Sequence, residues 1–299
     1  MHPALEFSNV TRRWRSGILG TAAESIGIAG CSFSVAPGEI VIVTGGAGAG
    51  KSTLLLLAAG QAAPSDGIVR WNGANAPREA RPQLIGARPW EYNLLTVRQA
   101  LAFHADQLAL VHTLRPAPAR FVPLMASVGL RGLARVRLGQ LAPIDRLRVV
   151  VAQALLAAPR LLCCEEPFAF CASEERQLAA RLLRSVAGRG TAVLIATREA
   201  ATIDALGLGD RALRLERGRI VNGARATHPV LELVVLAPDD AMTRLGHRLP
   251  SLARRGRRLR VPLSGRSPEA ILALCRDAGV RVRGSRVSDE ALPSAAAGP

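Results

Sequence analysis

Apolar positions follow two rhythms along this chain. Glu39-Ile-Val-Ile-Val-Thr44 is a short unbroken apolar run, as in a strand buried on both faces. Ser52-Thr-Leu-Leu-Leu-Leu-Ala-Ala59 is a longer run that reads as a helix, closed by Gly60 and then Pro64. Before residue 75 the pattern alternates short strands with turns at Pro64-Ser-Asp-Gly67 and Trp71-Asn-Gly73. From Thr96 it turns helical, with helices expected over Thr96–Leu108, Ala117–Val128 and Ile144–Leu156. Strands are then expected at Arg160–Cys164, Thr191–Ala196 and Ala212–Leu215, which makes an α/β core with a helical insertion. Past Gly223 the texture changes. Val230–Leu236, Leu259–Leu263 and Val280–Arg283 read as strands and Pro268–Ala278 as an amphipathic helix, a small α+β appendage ending near Leu292 before a tail without pattern.

The turn between the first strand and helix carries the chemistry. It reads Gly45-Gly46-Ala47-Gly48-Ala49-Gly50-Lys51-Ser52-Thr53, the full spacing of a phosphate-binding loop. Its glycines free backbone N–H groups to wrap phosphates, Lys51 reaches the β and γ phosphates, and the Ser52 hydroxyl reaches Mg²⁺. The loop ends at a helix N-terminus, where free amides favour an anion. Of the 39 basic residues, Lys51 is the only lysine, retained where a compact ammonium suits a phosphate cradle better than a guanidinium.

Composition sharpens this picture only partly. A net charge of +16 implies an anionic neighbour (nucleic acid, an acidic leaflet or an acidic protein) or else an arginine coat with no partner. No apolar run approaches the ~18 residues that span a bilayer. The N-terminus lacks a charged-then-apolar leader, so a cytosolic chain with at most peripheral membrane contact is expected. Five cysteines without CxxC spacing read as small core residues.

The ordered landmarks now resemble the nucleotide-binding subunit of an ATP-binding cassette (ABC) transporter over about residues 4–223. They are Asn9–Trp14, Pro37-Gly-Glu-Ile40, the loop, Pro64–Gly67, Leu95-Thr-Val97, Arg148–Leu155, Glu165-Glu-Pro167 and Gly218–Val221. The resemblance implies a P-loop NTPase domain over 1–223 with a helical subdomain about 96–156, beside the appendage over 224–292 and the disordered tail over 293–299 that the residue pattern predicts. It implies Mg²⁺-ATP as ligand and an integral membrane permease as partner. Trp14 falls where the family stacks an aromatic on adenine, its alternative being a place in the core. Glu165 stands for the aspartate that holds Mg²⁺ with Ser52, and Glu166 for the general base; the alternative is a solvated acidic pair.

Other stations depart from the family. The signature Leu-Ser-Gly-Gly-Gln aligns with Leu141-Ala142-Pro143-Ile144-Asp145, which has no hydroxyl, no N–H at Pro143, and a branched side chain where backbone must approach. The family glutamine falls near Trp90, with Glu91 adjacent and Gln83 too early. The switch histidine aligns with Arg198, which can contact the γ-phosphate or pair with Glu166 but cannot cycle as imidazole does. The aspartate after Pro167 is lost in Ala169-Phe-Cys-Ala172. The resemblance therefore implies an ATP-binding subunit with weak or partner-dependent hydrolysis, working in a heterodimer rather than a homodimer. The alternative is a nucleotide-gated scaffold without catalysis. Action on nucleic acid is disfavoured, because such cassette proteins resemble two fused cassettes and one phosphate loop is present.

Overall fold

The computed structural model describes residues 2–16, 23–77, 80–86, 93–112, 120–169, 171–221, 230–246, 249, 252–255, 258–262 and 268–288. The chain divides into two compact units, Met1–Thr202 with Arg211–Ala224, and Ile203–Asp210 with Arg225–Pro299.

The first unit begins with β1 (Leu5–Ser16) and β2 (Ala23–Val35), followed by β3 (Ile40–Thr44), α1 (Lys51–Ala58) and β4 (Asp66–Trp71). β1 pairs antiparallel with both β2 and β4. After β5 (Gln83–Ile85) come α2 (Val97–His112), α3 (Phe121–Ser127) and α4 (Pro143–Leu156). The helix expected from Ala117 is thus described only from Phe121. Then follow β6 (Leu161–Glu165), α5 (Ser173–Ala187), β7 (Ala192–Thr197), α6 (Ala200–Leu206), β8 (Arg211–Glu216) and β9 (Arg219–Ile220).

The second sheet has the order β5-β6-β7-β3-β8-β9, parallel from β5 to β8 with β9 antiparallel at the edge. Every residue of β7 and the first four of β3 and β6 are buried, as parallel strands covered on both faces require. Leu54, Leu55, Leu57 and Ala58 of α1 join one core with Phe7 and Phe33 of the antiparallel sheet and with Val41, Leu161 and Leu194 of the parallel one. Phe7 and Phe33 stack at 4.7 Å between centroids. Because β3, β6 and β7 run parallel in register, their C-terminal ends open side by side, where α/β sheets bind ligands.

The second unit is a split βαββαβ arrangement: β10 (Val230–Val235), α7 (Pro238–Gly246), β11 (Ala253–Arg255), β12 (Arg258–Pro262), α8 (Pro268–Asp277) and β13 (Val282–Ser288). Its antiparallel sheet has the order β11-β12-β10-β13. Leu231, Leu233 and Val235 alternate inward onto Ala241, Leu245, Ile271 and Cys275. Neither α7 nor β11 was expected: α7 opens on Pro238-Asp239-Asp240, and β11 is Ala-Arg-Arg with no apolar alternation. Arg260 is 1 % exposed, with Nε 3.2 Å from Glu232, which also takes Arg258 at 3.1 Å. The tail expected over 293–299 lies outside the described residues.

All five cysteines are buried. Burial pushes the Cys164 thiol up to about 12 and the Cys171 thiol up to about 11, so both stay protonated and unreactive at neutral pH. Among the described residues no helix is long and apolar enough to cross a membrane, and no group of three or more His, Cys, Asp or Glu gathers as a metal cluster.

Candidate nucleotide site

The loop Gly45–Gly50 leaves the buried end of β3 and turns into α1. Gly50 has φ 103 and Gly45 φ 159, and a Cβ at Gly50 would collide with the Gly27 carbonyl oxygen. Beside Gly46 and Gly48 no atom stands within 4 Å of where a Cβ would be, so the loop presents open backbone there. Ala47 is exposed and Ala49 buried. α1 begins at Lys51 with no side-chain cap, leaving its first amides for an anion. Lys51 Nζ arches back over the loop and donates to Gly45 O at 2.7 Å and Gly46 O at 2.9 Å. Burial lowers its pKa, Glu166 opposes that shift, Arg198 adds to it, and Glu165 opposes it.

Ser52 is exposed and its Oγ donates to Glu165 Oε1 across a short hydrogen bond, joining α1 to the end of β6. The next residue, Glu166, has φ 46, a left-handed turn at the end of the buried strand. That carboxylate is 14 % exposed and fully engaged within the chain. Thr197 Oγ1 donates to Oε2 at 2.8 Å, while Arg198 N lies 3.0 and 3.3 Å from Oε1 and Oε2. Arg198 Nε reaches Oε1 at 3.3 Å, its own side chain 66 % exposed. Arg198 thus pairs with Glu166 in this structure. Thr197, only 2 % exposed, was not anticipated; its signal was a hydroxyl one residue before Arg198 at a strand end.

Trp14 is half-buried beside the loop rather than in the core. Its Nε1–H donates to Thr53 Oγ1 at 3.1 Å, and the Arg12 guanidinium lies 4.2 Å from its ring centroid. Arg12 was also unanticipated, and it braces the indole on one face.

At the start of α4, Pro143 occupies the first turn and Ala142 caps without a side-chain hydrogen bond. Ile144 is 5 % exposed, its side chain turned into the protein. The Ile144 N–H points to Glu175 Oε1 at 3.4 Å, and Glu175 Oε2 accepts from Ala172 N at 2.9 Å at the head of α5. A carboxylate of the same chain thus stands at the Ile144 amide. Gln83 lies on β5 and donates to Pro82 O. Trp90 and Glu91 lie outside the described residues.

These groups suit a nucleoside triphosphate. Open amides and Lys51 answer the phosphates, the hard oxygens of Ser52 and Glu165 answer a divalent cation such as Mg²⁺, and the indole answers a purine. Comparison with known proteins bears on the family. Residues 28–169 match the ABC transporter family model. The chain is 30 % identical over 253 residues to the Nod factor export ATP-binding protein I of Burkholderia orbicola (strain AU 1054), covering 80 % of this chain and 79 % of that one. It is 28 % identical to the macrolide export ATP-binding/permease protein MacB of Azoarcus sp. (strain BH72), but spans only 34 % of that longer protein. In fold it is similar to a nucleotide-free ATP-binding cassette (TM-score 0.63, 19 % identity, 75 % of this chain and 92 % of that one). A dimeric bacterial ABC transporter cassette gives a TM-score of 0.60 at 21 % identity, over 74 % and 98 % of the two chains. With loop, sheet and a relative of matching length in agreement, the chain belongs to the ABC transporter family and is an ATP-binding cassette.

Proposed function

We propose that this cassette binds Mg²⁺-ATP, docks on an integral membrane permease at the inner face of the membrane, and hydrolyses ATP weakly unless a second, more complete cassette joins it. Gly45–Gly50 and Lys51 hold the phosphates, Ser52 and Glu165 hold the cation, Trp14 stacks on the base and Thr53 fixes the indole edge. Bound Mg²⁺ would supply charge neutralisation on the phosphates. Glu166 is the base that orients water, and Arg198 is the residue beside it where the family has histidine. The names of relatives, an export ATP-binding protein and ATP-binding/permease proteins, support the transport role.

The observation that carries weak turnover is the engaged state of Glu166, held by Thr197 and Arg198, together with a signature position occupied by Pro143 and Ile144. In the family the signature serves the opposite subunit's nucleotide. A heterodimer would then complete this chain's own site and leave the partner's nucleotide held but slowly hydrolysed. The same engagement of Glu166 favours a second reading, in which ATP only stabilises one conformation of a membrane complex. Steady-state phosphate release by the purified chain with saturating Mg²⁺-ATP separates them: slow turnover abolished by Glu166→Gln supports weak catalysis, and no release above background despite ATP binding supports the scaffold. Brisk Glu166-dependent hydrolysis by the isolated chain would overturn both.

A further inference from the structure

Trp14 is held more closely than a half-buried strand residue requires. Its Nε1–H bond to Thr53 Oγ1, at 3.1 Å, ties the indole edge to the first turn of α1. A Cβ at Gly27 would come within 2.7 Å of that Nε1 and 2.8 Å of that Oγ1, so β2 passes directly beside the bond. The φ of Gly27 lies outside the left-handed region, so space rather than backbone conformation calls for glycine there. Gly27 is also where the register slips: Arg12 pairs with Ile28 but Arg13 with Ile26, which makes Gly27 the extra residue of a bulge. The third contact is Arg12, two residues before Trp14 and therefore on the same face of β1, its guanidinium 4.2 Å from the ring centroid.

Arg12 is itself anchored. Its Nη1 donates to Ala63 O at 2.9 Å, just past the end of α1. The same stretch of β1 is stitched to that segment by Ser65 N to Thr11 O at 2.7 Å and by Arg13 N to Ser65 Oγ at 3.0 Å. Arg12 Nε is shut off from water and has no hydrogen-bond partner among the described residues. A buried N–H without an acceptor is costly, and the contact that offsets it here is the electron-rich indole. Because a nucleotide arrives from solvent, a side chain enclosed at Nε is placed to support the ring rather than to stand in the base's own position.

We propose that Arg12 is a positioning residue for base recognition: it closes one face of Trp14, fixes the ring together with Thr53 and Gly27, and leaves the opposite face to a purine. Bound ATP would then complete a stack of arginine, indole and purine. This rests on the reading of Trp14 as the base platform. To test it, ATP and inorganic tripolyphosphate are each titrated with Mg²⁺ into the full chain and into Arg12→Ala, Trp14→Ala and the double variant, with melting followed for each. Arg12→Ala should weaken ATP binding by about three- to tenfold, the range of a partly enclosed cation–π contact, and leave tripolyphosphate binding unchanged. In the Trp14→Ala background the Arg12 change should have no further effect, because no ring is left to position. Arg12→Lys should recover most of the ATP affinity, since a cation returns to the ring. If Arg12→Ala does not fold, Arg12→Gln, which keeps a donor for Ala63 O without the charge, carries the same comparison. Tighter ATP binding in the Arg12 variants would overturn the inference, because the guanidinium would then be holding the base's place. So would equal losses for ATP and tripolyphosphate, or a loss that is the same with and without Trp14. Weaker ATP binding in Trp14→Ala with Arg12→Ala silent would overturn this inference alone. Unchanged ATP affinity in a folded Trp14→Ala would overturn the base reading beneath it, and this inference with it.

Discussion

Arg198 is the position where substitution discriminates most sharply between a restrained base and a missing donor. Its guanidinium contacts Glu166 at 3.3 Å but is 66 % exposed, so the pair is worth roughly 0–1 kcal/mol after solvent screening. Removing it in Arg198→Ala leaves the Thr197 hydroxyl and the Arg198 amide on the carboxylate. The freed fraction of Glu166 can then rise at most about fivefold, since 1 kcal/mol is a factor of about five. Arg198→His adds an imidazole beside the γ-phosphate, and a preorganised donor to developing charge is worth ~10² to 10³ in rate. The histidine variant should therefore exceed the alanine variant by at least tenfold once the signature defect is also repaired.

That repair, Ala142→Ser/Pro143→Gly/Ile144→Gly, carries its own cost. Ile144 is 5 % exposed, so truncating it loses about 2–5 kcal/mol, with about 1 more for glycine in a helix. Melting must therefore be followed alongside phosphate release. With folding intact, the repaired chain carrying Arg198→His should hydrolyse ATP well above the unmodified chain, and Glu166→Gln should return it to background. Equal gains from alanine and histidine at 198 would mean that the pairing with Glu166, not the lost imidazole, limits turnover. No gain from the combined repair would refute the account of both stations.

Other outcomes follow from the same site. Lys51→Ala should abolish ATP-induced thermal stabilisation, because no other ammonium reaches the β and γ phosphates; a full remaining shift would make the loop decorative. Trp14→Ala should weaken ATP affinity by roughly tenfold, since stacking on one base is worth ~1–3 kcal/mol, whereas Trp14→Phe should keep most of it. Unchanged affinity in a folded Trp14→Ala would leave the base to another residue. A chain truncated after Gly223 should still bind ATP. Its melting temperature should fall, because Ile203 and Leu208, both buried, belong to the segment that groups with the C-terminal unit; failure to fold would place the boundary elsewhere.

What could be read in the sequence was what is local. The phosphate loop declared itself because its conformational demands fall on consecutive residues, with left-handed turns at Gly48 and Gly50 and Lys51 one residue on. β3 and β7 declared themselves because burial on both faces needs unbroken apolar runs. The split βαββαβ order of the C-terminal unit did not, since β11 carries arginines and is a strand only because β12 lies beside it. The state of Glu166 was equally hidden. Its partners Thr197 and Arg198 are 31 and 32 residues away and reach it only because β6 and β7 end in register. Glu175 meets Ile144 across a gap of 31 residues for a similar reason, through the packing of α5 near the head of α4. On the proposed reading, the residues that bind phosphate are set by one turn of chain, while those that would restrain catalysis are set by tertiary register. Substitutions in the loop should accordingly act on affinity, and substitutions at the strand ends and helix heads on turnover.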